Sequence, residues 1–145
     1  LNFSGADLSE IDLRYSDLRR TTLIGTDFQD SMLFGTRFCH ACMQNADLRY
    51  CLMHESDFTG ADLTNACFTA AKAYRGVPNR SKWIITGYRS IRFCGANLTH
   101  ADFTGTKIQD ADFTGAIMDG TLIDRKRLHQ FNLSPEQMQA ITLID

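Results

Sequence analysis

Cys39, Cys42, Cys51 and His54 stand in the spacing C-x2-C-x8-C-x2-H, which taken alone is that of a tetrahedral zinc site. Asp7, Asp27, Asp47 and Cys67 recur every twenty residues, and carboxylates repeated in this way could line up to hold a hard cation. His40, His54, His100 and His129 are candidate acid–base groups. None of them is joined to a serine or cysteine nucleophile and a carboxylate by a recognisable motif, and no Gly-rich phosphate loop precedes a helix. What these side chains can do depends on the elements that position them.

Those elements follow a period of five. In Ser56 to Ala70, SDFTG ADLTN ACFTA, each block has a small residue first and Phe58, Leu63 or Phe68 third. The third residues, here called centres, run from Phe3, Leu8 and Leu13 to Phe68, and again from Trp83, Tyr88 and Phe93 to Ile123. Two residues earlier stands Ala, Ser, Thr or Cys at most blocks, with Leu1, Ile11 and Ile91 as larger exceptions. A helix needs apolar spacings of three and four, and a half-buried strand needs two. Five fits a coil that turns a corner every block and points one large and one small side chain inward on each side. Four sides make a coil of about twenty residues, and coils stack at roughly 4.8 Å. Only stacking buries the centres.

This frame decides the fate of the candidate chemistry. Cys51 falls at a small inward position, while Cys39 and His54 point outward on different sides. Four ligands cannot converge on one metal from both faces of a coil. The aspartates fall just before centres, where short polar side chains accept backbone hydrogen bonds at corners. The expectation is a non-catalytic chain with no metal and no cofactor.

The blocks FSGADL, FTGADLTNACF, CGANLTHADFTG and ADFTGAIMDG resemble the pentapeptide-repeat family, A(D/N)LXX, from Leu1 to about Ile123. The resemblance implies an all-β solenoid, a right-handed quadrilateral β-helix; the period gives the four-sided coil but not its hand. Residues 1–124 read as this β-helix, interrupted by a loop at about 71–80, where AKAYRGVPNR places Ala73 and Pro78 at centre positions. Ten residues are two blocks, so the register is predicted to return at Ser81 to Trp83. Residues 125–145 read as a C-terminal tail and a short capping helix. Ser134 is its predicted N-cap, with Pro135 at N1 and Gln137 completing a capping box. Met138, Ile141 and Thr142 are predicted to face the last coil as its lid. In some family members the C-terminal end instead makes a homodimer contact.

The 145 residues carry a net charge of −2, so the chain is neither polyanion nor polycation, and no apolar run approaches membrane-spanning length. Five cysteines, an odd number, read as reduced thiols in the cytoplasm. The chain starts at Leu1 already in register, which reads as a fragment or a processed product; the family resemblance implies a bacterial origin most often and includes secreted effectors.

Twenty residues per coil place centres 13, 33 and 53 on one side. Their outward neighbours Met32, Phe34 and Leu52 are apolar where polar residues are expected. Either Tyr74 or Val77 of the loop covers this patch, or the patch stands open and binds a partner. The sequence reads as a protein–protein interaction scaffold with an unidentified protein partner, contacted through Met32, Phe34, Leu52, Tyr74, Arg75 and Arg80. Residues 71–100 hold six basic residues and no acid, but Trp83 and Tyr88 keep the centre register, so nucleic acid is not the expected partner. The alternative that the resemblance offers is a DNA-mimicking modulator of a type II topoisomerase, as in the gyrase-protecting branch. That role needs a markedly acidic surface.

Overall fold

The structure is a computed structural model and describes residues 1–73 and 90–145. The chain winds into stacked square coils joined by parallel backbone ladders. Asn2, Thr22, Cys42, Asp62, Asn97 and Ile117 succeed one another on the first side, and Asp7, Asp27, Asp47, Cys67, Asp102 and Leu122 on the second. Asp12, Met32, Leu52, Lys72 and Lys107 form the third, and Asp17, Arg37, Asp57, Arg92 and Asp112 the fourth. Each centre donates its N–H to the next coil, as Phe28 does to the Asp47 carbonyl at 2.8 Å. The residue before it donates backward, as Asp27 does to the Ala6 carbonyl at 3.0 Å. Between stacked coils the backbone groups of a side are thereby paired without a conventional sheet.

The sequence pattern accounts for each part of a block. From Leu23 onward the described centres are buried, and on the fourth side Phe38, Phe58, Phe93 and Phe113 stack face to face at 4.9, 5.1 and 5.1 Å. The small positions leave room for these rings. Where they are hydroxylic, they bond the centre carbonyl of the preceding coil: Thr26 to Phe3 at 2.9 Å, Ser56 to Leu33 at 2.6 Å and Thr121 to Leu98 at 2.8 Å. A buried hydroxyl without such a partner costs stability. The residue before the centre is Asp or Asn because its Oδ1 accepts the N–H two residues on: Asp7 from Ser9 at 3.0 Å, Asp62 from Thr64 and Asn97 from Thr99, both at 3.1 Å. At the corner the last residue of each block takes a left-handed backbone, with φ of 57° at Arg20 and 58° at Asn65 nearer 59° at Asn45.

The interruption is longer than the ten residues predicted. The ladder offset is 20 residues up to Leu52–Lys72, becomes 35 at Asp57–Arg92, and returns to 20 at Arg92–Asp112. Fifteen residues beyond the regular repeat are thus accommodated between Ala73 and Ile91. The wall also continues further than predicted: β1 (Lys72–Ala73) pairs in parallel with β2 (Lys107–Ile108), and Ala73 is buried as a centre beneath Ile108. A small centre is tolerated when a large one stacks beside it. Trp83 and Tyr88 lie outside the described residues.

At the C-terminal end, β3 (Leu122–Asp124) leads into a 3-10 helix, Arg125–Gln130, and then to α1 (Pro135–Ala140) and β4 (Thr142–Ile144). The predicted capping box is present: Ser134 Oγ accepts from the Gln137 N–H at 3.2 Å, and Gln137 Oε1 accepts from the Ser134 N–H at 2.9 Å. The lid differs from the prediction. Met138 is exposed, and so is Thr142, whose backbone instead extends the ladder through β4 on β3. Phe131 closes the core, lying 5.6 Å from Phe113 and edge-on to Phe103, with Leu128, Leu133, Ile141 and Leu143 packed round it. A six-residue helix has one narrow face, and an aromatic side chain fits the phenylalanine column better than methionine does.

Gln137 also ties the helix to the wall. Its Nε2 donates to the carbonyls of Phe113 at 2.8 Å and Ala116 at 3.0 Å, standing in for the coil that does not follow. Gln137→Glu removes both donors and sets a carboxylate against two carbonyl oxygens. It should destabilise the chain by about 1–3 kcal/mol in urea unfolding, with faster hydrogen exchange confined to the last coil.

Candidate functional site

The third side carries neighbouring outward residues that depart from the repeat. It begins with Asp12, held by the Arg14 guanidinium through bonds of 2.8 and 2.6 Å. The next two ladder positions are Met32 and Leu52, stacked on each other and exposed at 36% and 37%. Lys72 and Lys107 follow, both exposed. The frame brings Met32 and Leu52 together as the period predicts. Phe34, on the same side, is half-buried, edge-on to Tyr15 at 5.2 Å and 6.2 Å from the His54 ring. Burial pushes the His54 imidazole below its usual value, so this neighbour is neutral near pH 7. Tyr74, Arg75, Val77 and Arg80 lie outside the described residues.

Tyr15 completes this platform, and its centre-based period does not single it out. Its signal is a corner aromatic twenty residues before a glycine. A Cβ on Gly35 would come within 2.7 Å of the Tyr15 ring, so the next coil must be bare there. The same pairing recurs with His40 over Gly60 and His100 over Gly120.

The fourth side carries a charge ladder in which signs alternate from coil to coil. Arg37 reaches Asp17 at 3.0 Å, and Arg92 bonds Asp57, which is almost fully buried. Asp17 is held at about 2 by its bonds to Arg19 and by Arg37. Burial works against the Asp57 carboxylate, yet the Thr59 hydroxyl and N–H, the Cys39 thiol and Arg92 outweigh it and lower its pKa. The signal for this ladder in the sequence is the twenty-residue spacing of 17, 37 and 57, lost at the interruption, which sends the next cation to 92.

Comparison with known proteins places this geometry. The family model for pentapeptide repeats matches eight copies over residues 2–38, 41–74 and 89–122, well over half of the chain. The chain belongs to the pentapeptide-repeat family. It is a right-handed quadrilateral β-helix, the form its structural neighbours share. A pentapeptide repeat protein from the Arabidopsis thaliana thylakoid lumen is 28% identical over 75% of this chain and 66% of its own, with a TM-score of 0.59. One from the cyanobacterium Cyanothece is 17% identical over 83% of each chain, with a TM-score of 0.68. QnrB1, a plasmid-mediated fluoroquinolone resistance protein, is 17% identical over 99% of this chain and 60% of its own, at 0.62. The chain therefore spans just under two thirds of the Arabidopsis protein's length and 60% of QnrB1's. The likeness to the last two shows the fold alone. No curated protein matches the sequence. Pentapeptide-repeat proteins are in general non-catalytic structural repeats.

Within the pentapeptide-repeat wall, the zinc-like spacing is taken apart. Cys51 is buried and donates its thiol to the Phe28 carbonyl at 2.8 Å, Cys42 is exposed on the first side, and Cys39 and His54 belong to the fourth and third. Among the described residues no three His, Cys, Asp or Glu are grouped to hold a metal ion. The second-side aspartates are each engaged locally, Asp27 by Gln29 and Asp47 by Arg49. No helix among the described residues is long and apolar enough to cross a membrane.

Burial pushes the Cys39 thiol up to about 11 and Cys51 up to about 12. Maleimide labelling of the folded chain near neutral pH should therefore modify Cys42 first, and Cys51 only after unfolding, as peptide mass mapping would read. The lowered carboxylates set the acid limit of the fold. Asp17, Asp57 and Asp112 have folded values below the 3.8 of the free group, so the unfolded chain binds more protons between the two. Their stabilisation is complete above the unfolded value and is lost as pH falls through their lowered folded values, about 2 for Asp17. Urea midpoints should be flat at mildly acid pH and drop below about pH 4, with a shallower drop for Asp17→Asn.

Proposed function

We propose that the chain is a non-catalytic protein-interaction scaffold whose contact surface is the third side. The observation that carries this reading is the stacked pair Met32 and Leu52. They are the two ladder positions on this side with exposed large apolar side chains, set beside the Tyr15–Phe34 platform. An outward apolar cluster on a wall whose other outward positions are mainly polar has no folding role to offset its exposure. The β-helix holds it flat and preorganised, so association needs little ordering of the backbone. The five unpaired thiols support a reducing, cytoplasmic setting. Modulation of a topoisomerase by DNA mimicry has weaker support. It rests on a shared fold at 17% identity, and the alternating fourth side lacks the continuous acidity that such mimicry needs.

The test uses Met32→Asp with Leu52→Asp, which leaves every centre and Phe34 in place. The double variant should melt cooperatively near the wild type while losing native partners in cross-linking pull-downs. Unfolding of the variant would mean that these side chains are covered core. A folded variant that keeps its partners would move the contact surface elsewhere.

A further inference from the structure

The third side is apolar in its middle and cationic toward its C-terminal end. Met32, Leu52, Lys72 and Lys107 are successive ladder partners, one per coil. Like charges set directly opposite each other in a ladder are unfavourable. Elsewhere on the walls arginines meet acids: Arg14 pairs with Asp12, Arg19 and Arg37 with Asp17, Arg49 with Asp47, and Arg92 with Asp57. Lys72 and Lys107 make no ion pair among the described residues, though they stack on each other at the end of the apolar cluster. Two adjacent exposed cations with no ion pair among the described residues suit an anionic partner, and the apolar pair beside them requires that partner to be amphipathic.

The coil spacing indicates the form of that partner. Successive positions on the side lie roughly 4.8 Å apart, so Lys107 is about 14 Å from Met32 along the axis. An α-helix laid along the axis repeats its contact face about every 5.4 Å, close to one coil per turn. Apolar residues at two successive turns then meet Met32 and Leu52 with Phe34 beside them, and acidic residues on the next two turns meet Lys72 and Lys107. A strand along the same line would present residues at about 6.6 Å on its facing side and fall out of step with the coils. We infer that the third side receives an acidic amphipathic helix of a partner protein, with its apolar turns on Met32, Phe34 and Leu52 and its carboxylates on Lys72 and Lys107. This rests on the third side being the contact surface.

Two fluorescein-labelled synthetic helical peptides test it, alike in their two apolar turns and carrying either Glu or Lys on the next two. In fluorescence anisotropy with the full chain, the Glu peptide should bind more tightly than the Lys peptide by on the order of tenfold, and added salt should narrow the gap. Lys72→Glu with Lys107→Glu should reverse the preference, and Met32→Asp with Leu52→Asp should abolish binding of both, each variant being checked for a native circular dichroism spectrum and melt. Equal binding of both peptides that the lysine reversal leaves unchanged would overturn the charge pairing while leaving the apolar contact surface standing. Binding of the Glu peptide that survives Met32→Asp with Leu52→Asp, matched by poly-glutamate or single-stranded DNA, would show a general polyanion patch and overturn the helix. Failure of the wild type to bind either peptide would also overturn it, and the partner pull-down above would then decide separately whether the surface is used at all.

Discussion

The parallel ladder between coils is the interaction on which the rest of this molecule depends. A single square coil has no interior: its centres would face water and its backbone groups would be unpaired. Once stacked, Phe58 lies between the rings of Phe38 and Phe93, Asp57 exchanges backbone bonds with Thr36 and Phe38 in the coil below, and its neighbours Ser56 and Phe58 exchange theirs with Arg92 in the coil above. Burial and backbone pairing are gained in the same step, so neither the aromatic column nor the ladder forms alone. The turn geometry is subordinate to this. Corners such as Tyr50 and Asn65 hold left-handed backbones that unsupported residues seldom adopt, because both flanking sides are already fixed by their ladders.

A stack must end, and the C-terminal end shows what ending requires. The apolar column is closed by Phe131, the second side gains another layer through β4, and Gln137 supplies donors to the Phe113 and Ala116 carbonyls. These are three separate solutions to the exposure of one layer. In the first coil Leu1 and Phe3 are exposed and Leu8, Leu13 and Leu18 are partly buried.

Because the interior is uniform, individuality is confined to the outward positions, and the four sides differ through them. The fourth is an alternating charge ladder, which ties coil to coil by attraction. The third places two apolar residues and then two like charges in line, neither of which favours the stack. A rigid wall tolerates such a side at little cost to its fold.

The sequence by itself determined the coil, since a period of five with large centres and small partners has one way to be buried. It also determined the role of residues such as Asp62 and Asn97, whose short side chains meet the N–H two residues on, and the capping box of Ser134 and Gln137, which is a local pattern. The length of the interruption was not legible. Ten and fifteen are both multiples of five, so the block frame is the same for either, and only the pairing of Asp57 with Arg92 distinguishes them. That pairing also placed the fourth-side ladder and the Lys72–Lys107 neighbours, which are 35 residues apart in the chain. Met32 and Leu52 were readable as outward because they share a side at one coil's distance. The packing of Phe34 against Tyr15 and the choice of Phe131 over Met138 as the lid were decided by tertiary packing, because each depends on which ring already occupies the adjacent layer.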